Sequence, residues 1–419
     1  MTFSYYLSPT IKNRKNQIFL SFSPEAESDY SYHFNTPFYI NTEDWDHVKK
    51  RPKNIYCKKF KQLNVKLNSI KIELAQLIQN KKLKNKIPSS RAISEIIKKI
   101  SIDEQQKQYS EASLLYMISQ YLDAKKETLC LSTYRRYLVF FRLIEKFESF
   151  ITKHILLQDI NSEFIQSFYS FGKSEQYSES TIKRTVEFVK TILNYAERIG
   201  FATHVRNLEI PKNKNPKRII TLNEKELKKI KQTEVPSDLQ IAKDWLLISC
   251  YTGQRISDFM RFNSNQLINI NGKICISFIQ QKTGKEITLP LHPTVLNILK
   301  NNNNNFPKPM DRTLYNIHIK EIADLSGIKE FVKTRKRIGF RSREMQIEKF
   351  RNISSHIGRR SFASNFYGKI PTPLLMQATG HSSEKIFLNY INPVNHEGIM
   401  ALGNYFEEIY SGKKKNKFL

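Results

Sequence analysis

The sequence predicts a multidomain chain: a small α+β module first, then an all-α helical domain, then a mixed, mainly α domain with a small β-sheet. Three observations carry this. A length of 419 residues exceeds what a single hydrophobic core ordinarily serves. The apolar period shifts from rough alternation near the start to a spacing of three to four from about Ser110. Finally, Ile210 to Arg218 is a basic, Pro-punctuated stretch with no apolar period, as a linker would be. The expected bounds are residues 1–105, 106–205, a linker over 206–218, a third domain over 219–411 and a basic tail over 412–419.

In the first module, Lys15 to Pro24 and Tyr30 to Ile40 alternate Phe, Ile and Tyr with polar residues around the polar stretch Glu25 to Asp29, which predicts a hairpin. From Cys57 to about Leu83, Leu63, Leu67, Ile70, Leu74 and Leu77 recur at helical spacing, and Pro88-Ser89-Ser90 marks a boundary. Between Ser110 and Gly200 about four helices are expected, the second capped by Ser132, the last opened by Ser178 or Ser180 and ended at Gly200. Arg135, Arg136, Lys183 and Arg184 fall near helix N-termini, where a backbone phosphate is readily held; singly, each also suits a solvated helix face. The third domain opens at Asn223 and Glu226, which have capping-box spacing.

Charge narrows the partner. The chain carries 68 Lys and Arg against 39 Asp and Glu, a net +29 spread along its length. Such a surface suits nucleic acid, whose condensed counterions are released when many cations dock, better than a membrane, which usually recruits one short basic cluster. Cys57, Cys130, Cys250 and Cys275 are scattered, without metal-ligand spacing, and read as reduced core thiols. No charged leader followed by an apolar run opens the sequence, and no apolar stretch is long enough to span a bilayer, so a cytoplasmic protein is expected.

The third domain carries the chemistry. A helix through Leu239, Ala242, Leu246 and Cys250 runs into Thr252-Gly253-Gln254-Arg255-Ile256-Ser257-Asp258, where Gly253 stops it and puts Arg255 on a turn. Ser257 or Asp258 then starts the next helix. Lys273 to Ile279 and Glu286 to Leu291 alternate as strands, which leaves Lys282 at the tip of a hairpin. Ser355-His356-Ile357-Gly358-Arg359 opens a buried helix with His356 and Arg359 on one face. Thr372 and Pro373 start a short helix that Gly380 ends, delivering His381 just outside it; Ser382 or Ser383 starts the segment bearing Tyr390.

This ordered set of Arg255, Lys282, His356-x-x-Arg359, Gly380-His381 and Tyr390 resembles the active-site signature of the tyrosine recombinases, the phage integrase family. The resemblance implies an arm-type DNA-binding N-terminal module, a helical, SAM-like core-binding domain and a mixed α/β catalytic domain, in that order. It implies a site-specific recombinase or integrase of a mobile element such as a transposon, associated with the nucleoid. Expected partners are double-stranded DNA at core and arm sites, further copies in a homotetramer, and accessory DNA-bending proteins. Two departures stand out. Gly358 and Arg360 replace a bulkier residue and a histidine, and Asn301 to Arg351, with Lys333-Thr-Arg-Lys-Arg337, reads as an elaborated basic insert.

The residue types suit the chemistry in their own right. Guanidinium forks hold the non-bridging oxygens of a phosphodiester while charge builds there, which assigns Arg255 and Arg359. A phenol with a pKa near 10 needs a base and a cationic field to attack at pH 7; His356 is the base for Tyr390. Lys282 is placed to protonate the leaving 5′ oxygen, with Lys285 as the alternative, and His381 to hydrogen-bond the transition state. Asp258 orients a neighbour, and His292 and His318 are structural or surface histidines. The scheme calls for no metal, ATP or other cofactor, and the sequence has no phosphate-binding G-x-x-x-x-G-K-[ST] loop. Rival readings are a chromosome-dimer resolvase, a type IB topoisomerase-like enzyme, or a DNA-binding regulator without catalysis, which retention of all six polar residues opposes. Beyond Tyr390, Ile399, Leu402, Tyr405, Phe406, Ile409 and Tyr410 fall on one helical face between Glu397 and Tyr410 and suit docking on a neighbouring protomer.

Overall fold

A computed structural model describes residues 2–12, 15–23, 32–52, 58–82, 88–102, 109–211, 219–338 and 341–391. The expected C-terminal docking segment, the basic tail, Cys57 and most of the linker lie outside these residues. The chain divides into two units, the first formed by Met1–Asn213 and the second by the bulk of Lys214–Leu419.

In the first unit, β1 (Thr2–Lys12), β2 (Lys15–Ser23) and β3 (Tyr32–Ile40) form an antiparallel sheet in sequential order. The central strand alternates as its residues require, with Ile18, Leu20 and Phe22 buried on one face. β4 (Trp45–Asp46) and β5 (Arg51–Pro52) pair beside it. α1 (Lys58–Lys82) and α2 (Ser90–Ile102) close the core, with Ile70, Leu74, Ile93 and Ile97 meeting Ile18, Leu20 and Trp45. The Tyr5 hydroxyl donates to the Leu67 carbonyl at 2.6 Å, tying sheet to helix.

The sequence predicted two of these strands and one of these helices. β1 escaped because Pro9 and a register shift between Leu7 and Ile11 interrupt its alternation. Pro88-Ser89-Ser90 is not the edge of the module but the cap of α2, with Ser89 Oγ accepting from the Ala92 N–H at 3.3 Å.

The same unit holds four helices with their own core: α3 (Leu114–Ala124), α4 (Leu131–Ile151), α5 (Ser162–Ser174) and α6 (Glu179–Arg198). Ser113, Asn161 and Ser178 cap α3, α5 and α6 through side-chain oxygens. Phe147 on α4 lies 5.6, 5.2 and 5.4 Å from the rings of Phe164, Phe168 and Phe171 on α5. Each such buried ring contributes roughly 1.5–3 kcal/mol. Two expectations are corrected here. Ser132 does not cap α4; Cys130 occupies that position, and Ser132 lies inside the first turn. Cys130 is not a core thiol either: it is exposed, and hydrogen bonds with Ser132 and Thr133 lower its pKa to about 7.

The second unit is built on α8 (Ser237–Thr252), buried along most of its length through Leu239, Ala242, Trp245, Leu246, Ile248 and Cys250. Before it, α7 (Glu224–Gln232) starts with the expected capping box, Asn223 Oδ1 accepting from Glu226 N and Glu226 Oε2 from Asn223 N. After it come α9 (Ile256–Phe259) and an antiparallel sheet of β6 (Leu267–Ile270), β7 (Lys273–Ile279) and β8 (Glu286–Pro290). Then follow α10 (Pro293–Asn301), α11 (Arg312–Leu325), the hairpin β9 (Phe331–Ile338) and β10 (Arg341–Glu348), α12 (Ile357–Phe366), α13 (Thr372–Thr379) and α14 (Glu384–Leu388).

Part of the stretch from Asn301 to Arg351 belongs to the core. α11 buries Tyr315, Ile319, Ile322 and Ala323 in the main core, and Lys349 is buried between Glu226 at 2.6 Å and Glu330 at 2.8 Å. His292 is structural, accepting from the Thr294 N–H at 3.2 Å and stacking on Tyr251 at 4.1 Å. Among the described residues no helix is long and apolar enough to cross a membrane.

Candidate active site

Four chain segments meet where α8, β7, α12 and α13 end or begin. Gly253 ends α8 with φ +70°, and a Cβ there would lie 2.5 Å from the Phe362 ring, so only glycine makes this turn. Arg255 follows in extended conformation as the N-cap of α9. Neither Ser257 nor Asp258 starts that helix; Asp258 lies within it and turns inward. Its Oδ1 accepts from the Gln281 N–H at 2.9 Å, and Oδ2 lies 3.9 Å from the Arg255 guanidinium. The predicted orienting role for Asp258 therefore has two partners in reach.

Arg359, on the first turn of α12, is fully buried. Nη1 donates to the Gly253 carbonyl at 3.1 Å, and Nη2 donates to the Thr379 carbonyl at 2.7 Å and to His381 Nε2 at 3.0 Å. Nε finds no hydrogen-bond partner among the described residues. The Tyr390 ring lies 5.4 Å from the guanidinium carbon. Burial, then the neighbouring Arg255, holds Arg359 down at about 10, with Tyr390 and Asp258 opposing, so it stays cationic at neutral pH.

α13 begins one residue earlier than expected, with Pro371 rather than Thr372 as N-cap, and Gly380 ends it at φ +72°. His381 follows directly. Thr379 Oγ1 donates to the Leu375 carbonyl at 2.6 Å and so accepts from His381 Nδ1–H at 2.8 Å. That fixes the neutral tautomer with Nε2 free to accept from Arg359. Partial burial, then Arg359, Arg255 and Lys285, push His381 down to about 3. The His381 and Tyr390 rings are 5.0 Å apart, and Tyr390 sits two residues beyond α14, whose N-cap is Ser383.

His356 is the N-cap residue of α12, solvent-facing on one side. Desolvation on its inner side, then Arg360, Arg312, Arg359 and Arg255, holds it below the ordinary imidazole value. Lys282 is exposed in the β7–β8 loop, as is Lys285, whose charge reaches His381. Arg255, His356, Arg359, His381 and Tyr390 thus lie near one another, with Lys282 on the adjoining loop. In the first unit Arg135, Arg136 and Arg184 are exposed on the opening turns of α4 and α6, and Lys183 pairs with Glu187 at 3.9 Å.

Sequence reasoning passed over three residues at this site. Gln254, Gln280 and Thr379 are all fully buried, and hydrogen bonds among them link the arginine turn, the lysine loop and the His381 segment. Among the described residues no group of His, Cys, Asp and Glu is disposed to hold a metal ion.

The phage integrase SAM-like domain model matches residues 113–206, and the phage integrase family model matches residues 220–397. No curated protein matches the sequence. Among solved structures, a Tn1549 transposon integrase in complex with a circular intermediate DNA is similar in fold, at 13% identity and a TM-score of 0.52, over 70% of this chain and 99% of that one. The XerH site-specific recombinase bound to a palindromic difH substrate, a post-cleavage complex, is similar at 14% identity and a TM-score of 0.50, over 82% of this chain and 96% of that one. With a SAM-like domain preceding the catalytic model, and the arginines, histidines and tyrosine gathered inside the span of that model, the chain belongs to the phage integrase family and is a tyrosine-type site-specific recombinase.

Proposed function

We propose that the protein cuts and rejoins DNA through a 3′-phosphotyrosyl bond at Tyr390, as the integrase of a mobile element. The observation that carries this reading is the buried Arg359 guanidinium, which lies 5.4 Å from the Tyr390 ring and donates to His381. Arg255 and Arg359 hold the non-bridging oxygens, and neutral His356 takes the Tyr390 proton as its oxygen bonds to phosphorus. The 5′ oxygen leaves with a proton from Lys282, or from Lys285, whose charge already reaches His381. A 5′-hydroxyl of the partner strand then attacks the phosphotyrosine and releases the enzyme. One phosphoester replaces another at each step, so the scheme needs neither ATP nor a metal.

Asp258 steers Arg255, and Arg135, Arg136, Lys183 and Arg184 contact backbone phosphates. The module over residues 1–105 reads arm sites, and four protomers hold two DNA sites, which light scattering of the protein–DNA complex checks. The decisive experiment traps full-length protein on nicked suicide duplexes drawn from DNA flanking the gene, with chelator present, and resolves it on a denaturing gel. Wild type should give a shifted band, and Tyr390→Phe should bind DNA equally well and give none. A shifted band from Tyr390→Phe, or a strict need for magnesium, would overturn the mechanism.

A further inference from the structure

We propose that Gln280, with Gln254 behind it, is a positioning residue for DNA cleavage: its carboxamide fixes the Arg255 guanidinium and the lysine-bearing loop against the segment that delivers His381. This rests on the cleavage chemistry proposed above. Gln280 follows the last residue of β7 and is fully buried. A carboxamide offers two N–H donors and two lone pairs, and here all four are used. Nε2 donates to Gln254 Oε1 at 3.0 Å and to the Thr379 carbonyl at 3.1 Å. Oε1 accepts from Arg255 Nη1 at 3.1 Å and from Thr283 Oγ1 at 2.8 Å.

Each bond reaches a different piece of the site. Thr283 lies beside Lys282, and the loop closes on the Gln280 backbone through Gln280 N to Lys285 O at 2.8 Å and Gly284 N to Gln280 O at 2.9 Å. The Thr379 carbonyl also accepts from Arg359 Nη2 at 2.7 Å, so a single carboxamide and a single carbonyl connect the two guanidinium groups. Gln254, fully buried, donates to the Thr252 carbonyl at 2.8 Å and the Ala378 carbonyl at 2.7 Å, which anchors the pair to both flanking helices. The fit is close: a Cβ on residue 380 would lie 2.5 Å from Gln280 Oε1, which leaves Gly380 no alternative there. No other side chain of this length both donates twice and accepts twice. Glutamate cannot donate, and methionine would orphan Arg255 Nη1 and Gln254 Oε1 in a dry site.

The test compares single-turnover cleavage by full-length wild type and Gln280→Met on two suicide duplexes, one with a native scissile phosphodiester and one with a methylphosphonate there. The methylphosphonate has no charge for Arg255 to neutralise, so a fault in Arg255 placement matters less on it. Gln280→Met should cut the native substrate about 100-fold more slowly, the cost of a misplaced catalytic group. On the methylphosphonate the gap should shrink to within several-fold, with DNA affinity near wild type. If Gln280→Met does not fold, Gln280→Glu serves: it keeps the acceptor for Arg255 and Thr283, sets a negative charge against the guanidinium, and should give the same contrast. Equal slowing on both substrates, or none on the native one, would refute the positioning role. Wild type forming no Tyr390-dependent adduct would instead refute the proposed chemistry itself.

Discussion

Gly358→Ala should destabilise the second unit and slow cleavage, although alanine is the better helix former. A Cβ at this position would lie 2.1 Å from Ser249 Oγ, 2.6 Å from Ser249 Cβ and 2.7 Å from the Ser249 carbonyl carbon. Ordinary contact needs about 3.5 Å, so α8 and α12 must part by most of an ångström, and the atom farthest from relief is backbone. Overpacking of this kind costs roughly 1–3 kcal/mol and sometimes more, and the helix propensity gained from alanine returns about 1 kcal/mol. At the upper end of that range the net loss is about 2 kcal/mol, which would lower the melting temperature by roughly 4–8 °C for a domain of this size. Because Arg359 is the next residue and its Nη1 reaches back to Gly253 at the end of α8, separation also loosens the guanidinium. Thermal melts of Gly358→Ala, Ser249→Ala and the double variant supply the measurement. Ser249→Ala removes only the 2.1 Å clash, so it should restore part of the stability and not all. A Gly358→Ala protein melting at or above wild type would refute the packing argument.

Three further expectations follow from the same geometry. Arg359→Lys keeps the charge but cannot span the Gly253 carbonyl, the Thr379 carbonyl and His381 together, so single-turnover cleavage should fall by about 10²–10³; a loss below tenfold would count against the fork. His356 and His381 both titrate below the usual imidazole value, so cleavage should persist as pH falls past 6.5 and fail only below it, whereas a rate profile with its midpoint at or above 6.5 would contradict this. The unfolded chain binds protons on these groups at higher pH than the native one, so they make native stability fall as pH drops from 6.5 toward about 3, which melts across that range would register. A fragment beginning at Ser110 should footprint the core site without the arm sites, and an unchanged footprint would sink the arm assignment to residues 1–105.

Arg255, His356, Arg359, His381 and Tyr390 were legible because each sits where a helix starts or stops, and such ends announce themselves locally through Gly253, Gly380 and Ser383. The amides that brace them were not. Gln254 meets Ala378 across 124 positions and Gln280 meets Thr379 across 99, and nothing in the local pattern marks a glutamine as buried. The same limit explains α11, whose basic neighbourhood hides a face of Tyr315, Ile319 and Ile322 that only the opposing α8 makes sense of. Cys130 failed for the opposite reason: its cap position is local, but cysteine is so often buried that exposure is the unexpected outcome.

One arrangement accounts for several features of the site. Arg255 and Arg359 stand close enough for each to weigh on the other, and the carboxylate beside them, Asp258, spends one oxygen on the Gln281 N–H. Arg359 is held by carbonyls and a neutral imidazole, which accept from Nη1 and Nη2 without cancelling its charge. Burial, and after it a field left positive in this way, holds both histidines below the ordinary imidazole value, so that one can act as a base near neutral pH. It favours anions by the same measure. A phosphodiester brings one negative charge, and the state in which the Tyr390 oxygen and the departing oxygen share phosphorus carries more. Two fixed guanidinium groups therefore gain more from that state than from bound substrate, and the surplus lowers the barrier. The arrangement depends on the packing of α8 against α12, where only glycine at 358 lets the two helices close.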